Sequence, residues 1–165
     1  ALAVDARPEI AAFLRTRVSK PADLVWPRYV VVTVTSATGL VVGTIVAVAT
    51  TVILIGELPI GRVVAGTGFG IAYLAFATAA VAAIAGFLRS QLVVVFATIV
   101  ALLTLPILGI VEAIRPWLPS SLLMSVAAIV AGEPSTEYLR ALAVTVVATT
   151  GLLAIAIRRV AIREM

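Results

Sequence analysis

The 165-residue chain contains no cysteine, no histidine and no asparagine, and its single lysine stands against eleven arginines. Without Cys and His the chain has no disulfides, no thiolate or imidazole metal ligands, and no nucleophile or base of those two types. Without Asn it has no acceptor for N-glycosylation. Most enzyme chemistry is excluded on these grounds, and the sequence predicts no catalytic, metal-binding or cofactor-binding residue.

Charge is also scarce, and its placement is informative. Charged residues make up 12% of the chain and hydrophobic residues 62%, with a mean hydropathy of +1.22, whereas soluble domains carry about 25% charged residues. The net charge is +4, but the basic residues lie at the ends of apolar runs rather than in an interleaved patch. That pattern is typical of membrane topology determinants and headgroup contacts, so we expect a lipid membrane and no nucleic acid as the partner.

Four apolar stretches are candidates for membrane spans. Residues 30–55, 63–88 and 90–111 contain no charge, and each is long enough to cross about 30 Å of hydrocarbon. A fourth stretch, residues 141–157, is extended to 138–157 by Tyr138 at the interface. The sequence therefore predicts an all-α membrane protein with four transmembrane helices, in a transmembrane domain over residues 30–165.

Whether a fifth apolar stretch, Pro116–Gly132, crosses the membrane is decided by the expected topology. If residues 1–29 are cytoplasmic, four spans also place the basic tail, residues 158–165, inside, with nine basic residues inside and three outside. A fifth crossing would move that tail outside. We therefore predict a re-entrant or interfacial helix hairpin in the outer leaflet, with an ordinary fifth span as the alternative. The hairpin residues of interest are Trp117, Pro119, Ser120 and Ser121.

The predicted spans contain small residues, including two pairs of glycines, and have no charged residue near their centres. No span has an ionisable residue near its centre, which argues against proton-coupled or ion-coupled transport. Gly39 and Gly43 have GxxxG spacing, as do Gly66 and Gly70, and this spacing lets membrane helices approach closely. Two interpretations remain open for these glycines: packing within one bundle, or an interface with a second subunit.

The amino-terminal segment, residues 1–29, is predicted to be cytoplasmic. Residues 8–18 place four apolar side chains on one helical face, and a turn or helix start follows at Ser19–Asp23. Such a segment is suited either to a cytoplasmic partner or to anchorage in the headgroups.

Three stretches carry a family resemblance. Phe13–Pro21 (FLRTRVSKP), which leads through Arg28 and Tyr29 into a span, is similar to the cytoplasmic stretch that bears the coupling helix in permease subunits of ABC-2 type transporters. Ala85–Leu92 (AGFLRSQL) resembles that family's turn between two helices. Arg115–Leu122 (RPWLPSSL) resembles the segment before its outer-leaflet hairpin. Permeases of this family typically have six helices, so the resemblance implies that the first two are missing from this sequence.

The resemblance implies a transport subunit rather than an enzyme: the permease of an ATP-driven exporter in a bacterial cytoplasmic membrane, with both termini cytoplasmic. The chain has no P-loop, so ATP and Mg would be bound by a separate ABC ATPase subunit, and a second permease subunit, identical or different, would complete the pair. A hydrophobic or amphiphilic substrate is implied. The residues implied to contact the ATPase are Arg15, Arg17, Ser19, Lys20, Pro21 and Asp23.

Two other functions are weighed against this one. A non-transporting structural or accessory subunit of a larger membrane complex would use the glycine faces and the outer hairpin as docking surfaces. A membrane-embedded enzyme is the weakest hypothesis, because the outer-loop carboxylates have no His, Cys or Lys beside them; these are Glu57, Glu112, Glu133 and Glu137.

Overall fold

A computed structural model describes residues 21–88 and 90–164. The described residues form five α-helices: α1 (Pro21–Leu54), α2 (Ile60–Phe87), α3 (Gln91–Leu108), α4 (Ser121–Ala131) and α5 (Leu139–Glu164). Two 3₁₀ helices, Arg115–Trp117 and Ser135–Tyr138, precede α4 and α5. No strand occurs in this part of the chain, which confirms the expected all-α class.

Four of the helical stretches are long and apolar enough to cross a membrane. They are Val25–Leu54, Ile60–Phe87, Gln91–Leu108 and Ser135–Ile162, with mean hydropathies of 1.9 to 2.5 over their most apolar windows. By contrast, α4 has 11 residues, which at 1.5 Å per residue span about 16 Å and fall short of about 30 Å of hydrocarbon. The expectation of four helices long and apolar enough to cross a membrane is confirmed, and α4 is a shorter apolar helix.

The helix α2 is the centre of the bundle. In its most apolar window 44% of the residues are buried, against 0% for α1, 11% for α3 and 22% for the stretch that contains α5. The face that α2 presents to its neighbours carries small side chains, including Ala79 and Ala83, which are almost completely buried. Because small residues let helix backbones approach, α2 packs against α5 and α4 most extensively, and against α1 and α3 less so.

The main core joins α2 to the carboxyl-terminal part of the chain. It consists of three aromatic residues of α2 together with apolar residues from α4 and from the start of the last helical stretch. These residues are Phe69, Tyr73, Phe76, Leu122, Ile129, Tyr138 and Ala141. The Phe69 and Tyr138 rings are tilted against each other with their centroids 5.8 Å apart.

The beginning of α1 and the end of α5 lie at the same end of the bundle. Val25, in the second turn of the described part of α1, packs with Ala82 of α2 and Ala156 of α5. An even number of crossings brings a chain back to the side on which it started. The arrangement therefore fits four crossings by α1, α2, α3 and α5.

Candidate coupling and interface surfaces

The residues predicted to contact an ATPase lie mostly outside the described part of the chain. Arg15, Arg17, Ser19 and Lys20 fall in residues 1–20, and the described part of α1 begins with Pro21. Asp23 lies in the first turn of that helix and is exposed. A carboxylate near the amino-terminal end of a helix is stabilised by the helix dipole. The structure thus locates the last two of the six residues at the start of α1.

Two hydrogen bonds attach the first half of α1 to α2. The Tyr29 hydroxyl donates to the Ala75 carbonyl oxygen at 3.2 Å, and the Thr33 and Thr78 hydroxyl oxygens lie 2.9 Å apart. Trp26, which is about half exposed, meets the Tyr29 ring edge-on with a centroid separation of 6.0 Å. The two hydrogen bonds attach the first half of α1 to the central helix of the bundle.

The second half of α1 carries the first glycine pair, and this pair faces away from the rest of the chain. A Cβ atom added to Gly39 or to Gly43 would meet nothing within 4 Å. Apart from Thr33, the threonine hydroxyls on this helix are bonded within it. For example, Thr35 donates to the Val31 carbonyl and Thr38 to the Val34 carbonyl. Because their hydrogen bonds are already made, these hydroxyls tolerate either lipid or another helix.

The second glycine pair, in α2, packs inside the chain. A Cβ atom on Gly66 would lie 2.6 Å from the Cα of Val126 in α4, and one on Gly70 would lie 3.1 Å from Cδ2 of Leu40 in α1. The same sequence spacing therefore supports intrachain packing in α2 and an open face in α1.

The predicted outer hairpin begins with a tight turn. Trp117 ends the first 3₁₀ helix, is about half exposed, and lies 5.8 Å below the guanidinium carbon of Arg140. Pro119 and Ser120 are buried. Ser121 begins α4, and its hydroxyl donates to the Leu118 carbonyl at 2.8 Å. The four residues named from the sequence thus form the entry to α4.

The helix α4 is held against α2 through one fully buried face. Leu122 and Ser125 have no exposed surface and Ile129 is 2% exposed. The Ser125 hydroxyl donates to the Leu122 carbonyl at 2.6 Å and lies 3.4 Å from the Gly66 carbonyl oxygen. The role of Ser125 at this contact was not predicted, although a serine in the middle of an apolar helix is the signal that marks it.

Helix α4 ends at a glycine cap, and a tyrosine hydrogen bond follows in the connection to α5. Gly132 has φ +118°, a conformation that favours glycine, and its N–H donates to the Ile129 carbonyl while the Glu133 N–H donates to the Ala128 carbonyl. This is a Schellman motif. The Tyr138 hydroxyl then donates to Oε2 of Glu133 at 2.6 Å. The chain is thereby turned from α4 into α5.

No metal centre is found in the described residues: they contain no group of three or more His, Cys, Asp or Glu side chains that could hold an ion. Every buried side-chain nitrogen or oxygen in that part of the chain has a hydrogen-bond partner. What the structure presents is a set of packing surfaces and membrane-exposed faces.

Comparison with known protein families, curated proteins and solved structures finds no match to this chain.

Proposed function

We propose that this chain is the membrane-spanning permease subunit of an ATP-driven ABC exporter, which moves a hydrophobic or amphiphilic substrate across the bacterial cytoplasmic membrane. ATP and Mg would bind to a separate cytoplasmic ATPase subunit, and a second permease subunit would complete the substrate path. The proposal rests on the resemblance of three stretches to ABC-2 permeases and on the contacts described above.

The observation that carries the proposal is the short helix α4 placed before the last span. It follows Arg115–Leu122, the segment that resembles the entry to an outer-leaflet hairpin, and its 11 residues are held on α2 by a fully buried face. A helix of that length between two longer apolar helices suits a re-entrant or interfacial position in the outer leaflet. The order of elements from α1 to α5 agrees with the last four helices of such a permease.

The length of α1 supports an exposed site for the ATPase. Its 34 described residues extend about 51 Å at 1.5 Å per residue, well beyond about 30 Å of hydrocarbon. Trp26 and Tyr29 suit the membrane interface, where amphipathic aromatic side chains are enriched. Pro21 and Asp23 would then project beyond the hydrocarbon, on the side that also holds the end of α5.

The bonds from Tyr29 and Thr33 to α2 give this end of α1 a mechanical connection to the bundle. A force applied by the ATPase near Asp23 would be carried to α2, the most buried helix. The open face of α1, with Gly39 and Gly43, is available for the second permease subunit. A path between the two subunits would be lined by small and apolar side chains, which suits an amphiphile better than an ion.

Co-purification and transport together test the proposal. The protein, purified in detergent from its native membrane, should retain an ATPase subunit through purification. Reversal of charge at Arg15, Arg17 and Lys20 to Glu should abolish ATP-dependent export, whereas Arg15→Lys with Arg17→Lys should preserve it. Export that survives the charge reversal would contradict the coupling assignment.

A second candidate function is a non-transporting subunit of a larger membrane complex. It is favoured by the outward faces of α1 and α3, of whose most apolar windows only 0% and 11% are buried. A density map with this chain beside an unrelated membrane assembly, and with no ATPase beneath it, would decide for this function.

A further inference from the structure

A cavity lies where α2 ends and α5 approaches its carboxyl terminus. It has a volume of about 390 Å³ and is lined by Phe87, Ile155, Arg158, Arg159 and Ile162. The four residues from α5 recur at spacings of three, one and three, which places them on one face of that helix. The cavity thus combines two guanidinium groups with three large apolar side chains.

Contacts with α2 hold one of the two arginines in place. A Cβ atom on Gly86 would lie 3.1 Å from the Cβ of Arg159, so the glycine admits the arginine stem against α2. The guanidinium carbon of Arg159 then lies 4.1 Å from the centroid of the Phe87 ring, within the range of a cation–π interaction. Arg159 is therefore oriented before any ligand arrives.

The cavity carries the positive charges of its two arginines. Among the side chains that the structure describes, no carboxylate is paired with Arg158 or Arg159. Interaction with the helix dipole favours cations in the last turns of a helix. The helix dipole acts on charged groups only, so it does not explain why the apolar residues Ile155 and Ile162 lie on the same face as the two arginines.

The cavity lies near the carboxyl-terminal end of the last candidate span. Ile162 is the last residue of the candidate span Ser135–Ile162, and Ile155 lies two turns further into it, about 10 Å along the helix axis. Ile155, Ile162 and Phe87 are each about half exposed. Arg158 and Arg159 lie one turn before Ile162, near that end of the candidate span, where long arginine side chains can extend towards the headgroups while Ile155 lies deeper among acyl chains.

We propose that this cavity binds an anionic phospholipid, with its phosphate between Arg158 and Arg159 and an acyl chain against Ile155. Guanidinium groups recognise phosphate through charge-assisted hydrogen bonds, and basic pockets between membrane helices are suited to anionic headgroups. The site goes beyond the proposed transport function and does not depend on it, because it is formed by residues of α2 and α5 alone.

Native mass spectrometry of the detergent-solubilised full chain, titrated with phosphatidylglycerol or phosphatidylcholine, tests the proposal. The wild-type chain should retain phosphatidylglycerol in preference to phosphatidylcholine. The double variant Arg158→Gln/Arg159→Gln should bind phosphatidylglycerol roughly 30-fold more weakly. This factor corresponds to about 1 kcal/mol for each arginine that no longer contacts the anionic headgroup. The control Arg140→Gln removes one positive charge at the opposite end of α5 and should leave binding unchanged.

Two further arms distinguish a lipid site from a free-anion site and from a loss of folding in the variants. Arg158→Lys/Arg159→Lys keeps the charge and should retain part of the binding, and helicity measured by circular dichroism should be equal in all variants. Equal retention of the two lipids by the wild-type chain would overturn the proposal even if the glutamine variant failed to fold. Displacement of phosphatidylglycerol by inorganic phosphate would also overturn it, in favour of a free-anion site.

Discussion

Gly66 of α2 and Val126 of α4 approach so closely that a Cβ atom on the glycine would lie 2.6 Å from the Cα of Val126. Atoms at that separation overlap, and the neighbour is backbone rather than the flexible end of a side chain. The contact is possible only because position 66 carries hydrogen in place of a methyl group. It explains how an 11-residue helix is held on the central helix of the bundle.

Gly66→Ala should therefore destabilise the packing of α4 on α2. We expect a loss of about 1–3 kcal/mol, the usual range for overpacking a well-filled contact. The apparent melting temperature of the purified protein in detergent measures this loss. Gly39→Ala is the matched control, because a Cβ at that position meets nothing within 4 Å, and it should leave the melting temperature almost unchanged. Equal effects of the two substitutions would contradict the assigned packing.

The hydroxyl pair of Thr33 and Thr78, 2.9 Å apart, should contribute measurably to the docking of α1 on α2. Thr33→Val removes one hydroxyl and preserves the shape of the side chain, and we expect a loss of about 0.6 kcal/mol, typical of hydrogen bonds between membrane helices. Thr35→Val is the control, since that hydroxyl donates to the Val31 carbonyl of its own helix and is exposed.

The measurement is again thermal stability, now combined with proteolysis of the detergent-solubilised protein. Loss of the Thr33 hydroxyl should expose the first half of α1 more often than loss of the Thr35 hydroxyl. If Thr35→Val destabilised the protein as much as Thr33→Val, the pair with Thr78 would not be what holds α1.

Four crossings place the loops after α1 and α3 on one side of the membrane and the start of α1 on the other. The absence of native cysteine makes single cysteine variants clean probes of this arrangement. Asp23, Glu57 and Glu112 are all exposed, so Asp23→Cys, Glu57→Cys and Glu112→Cys should all react with a maleimide once cells are permeabilised.

In intact cells, a membrane-impermeant maleimide should label the variants at positions 57 and 112 and leave the variant at position 23 unlabelled. This outcome follows from cytoplasmic termini, which the distribution of basic residues favours. Labelling at only one of positions 57 and 112 would contradict four crossings. Labelling at position 23 alone would keep the four crossings and reverse the orientation.

The membrane helices were predictable because charge is expensive in hydrocarbon. Stretches without charge from residues 30, 63 and 90 onward correspond to α1, α2 and α3, and their length alone distinguishes them from α4. The helical part of α1 extends further towards the amino terminus than the uncharged stretch does, since Arg28 and Asp23 lie within the helix. An uncharged stretch indicates which residues can lie in lipid. The helix itself extends as far as its backbone hydrogen bonds continue, and it includes charged residues at its start.

The candidate surfaces were predictable only in part. Gly39 and Gly43 have the same spacing as Gly66 and Gly70, but the first pair faces outward and the second packs against Val126 and Leu40. Spacing determines that two glycines share a helix face and does not determine which neighbour meets that face. The bond from Tyr138 to Glu133 was likewise not predicted, because it depends on how the Schellman turn at Gly132 redirects the chain.

The sequence by itself determined that this is an all-helical membrane protein with four apolar helices, because an uncharged run of this length has few other stable environments. Only the tertiary structure decided that α2 is the central helix. Hydropathy does not single it out: its value of 1.9 is no higher than those of the other three stretches, although it is the most buried. In a membrane, an apolar helix surface is equally stable against lipid and against protein. Which helix is buried therefore depends on where small residues let helix backbones approach closely. That approach depends on partners far away in the sequence, at Val126 and at Ala156.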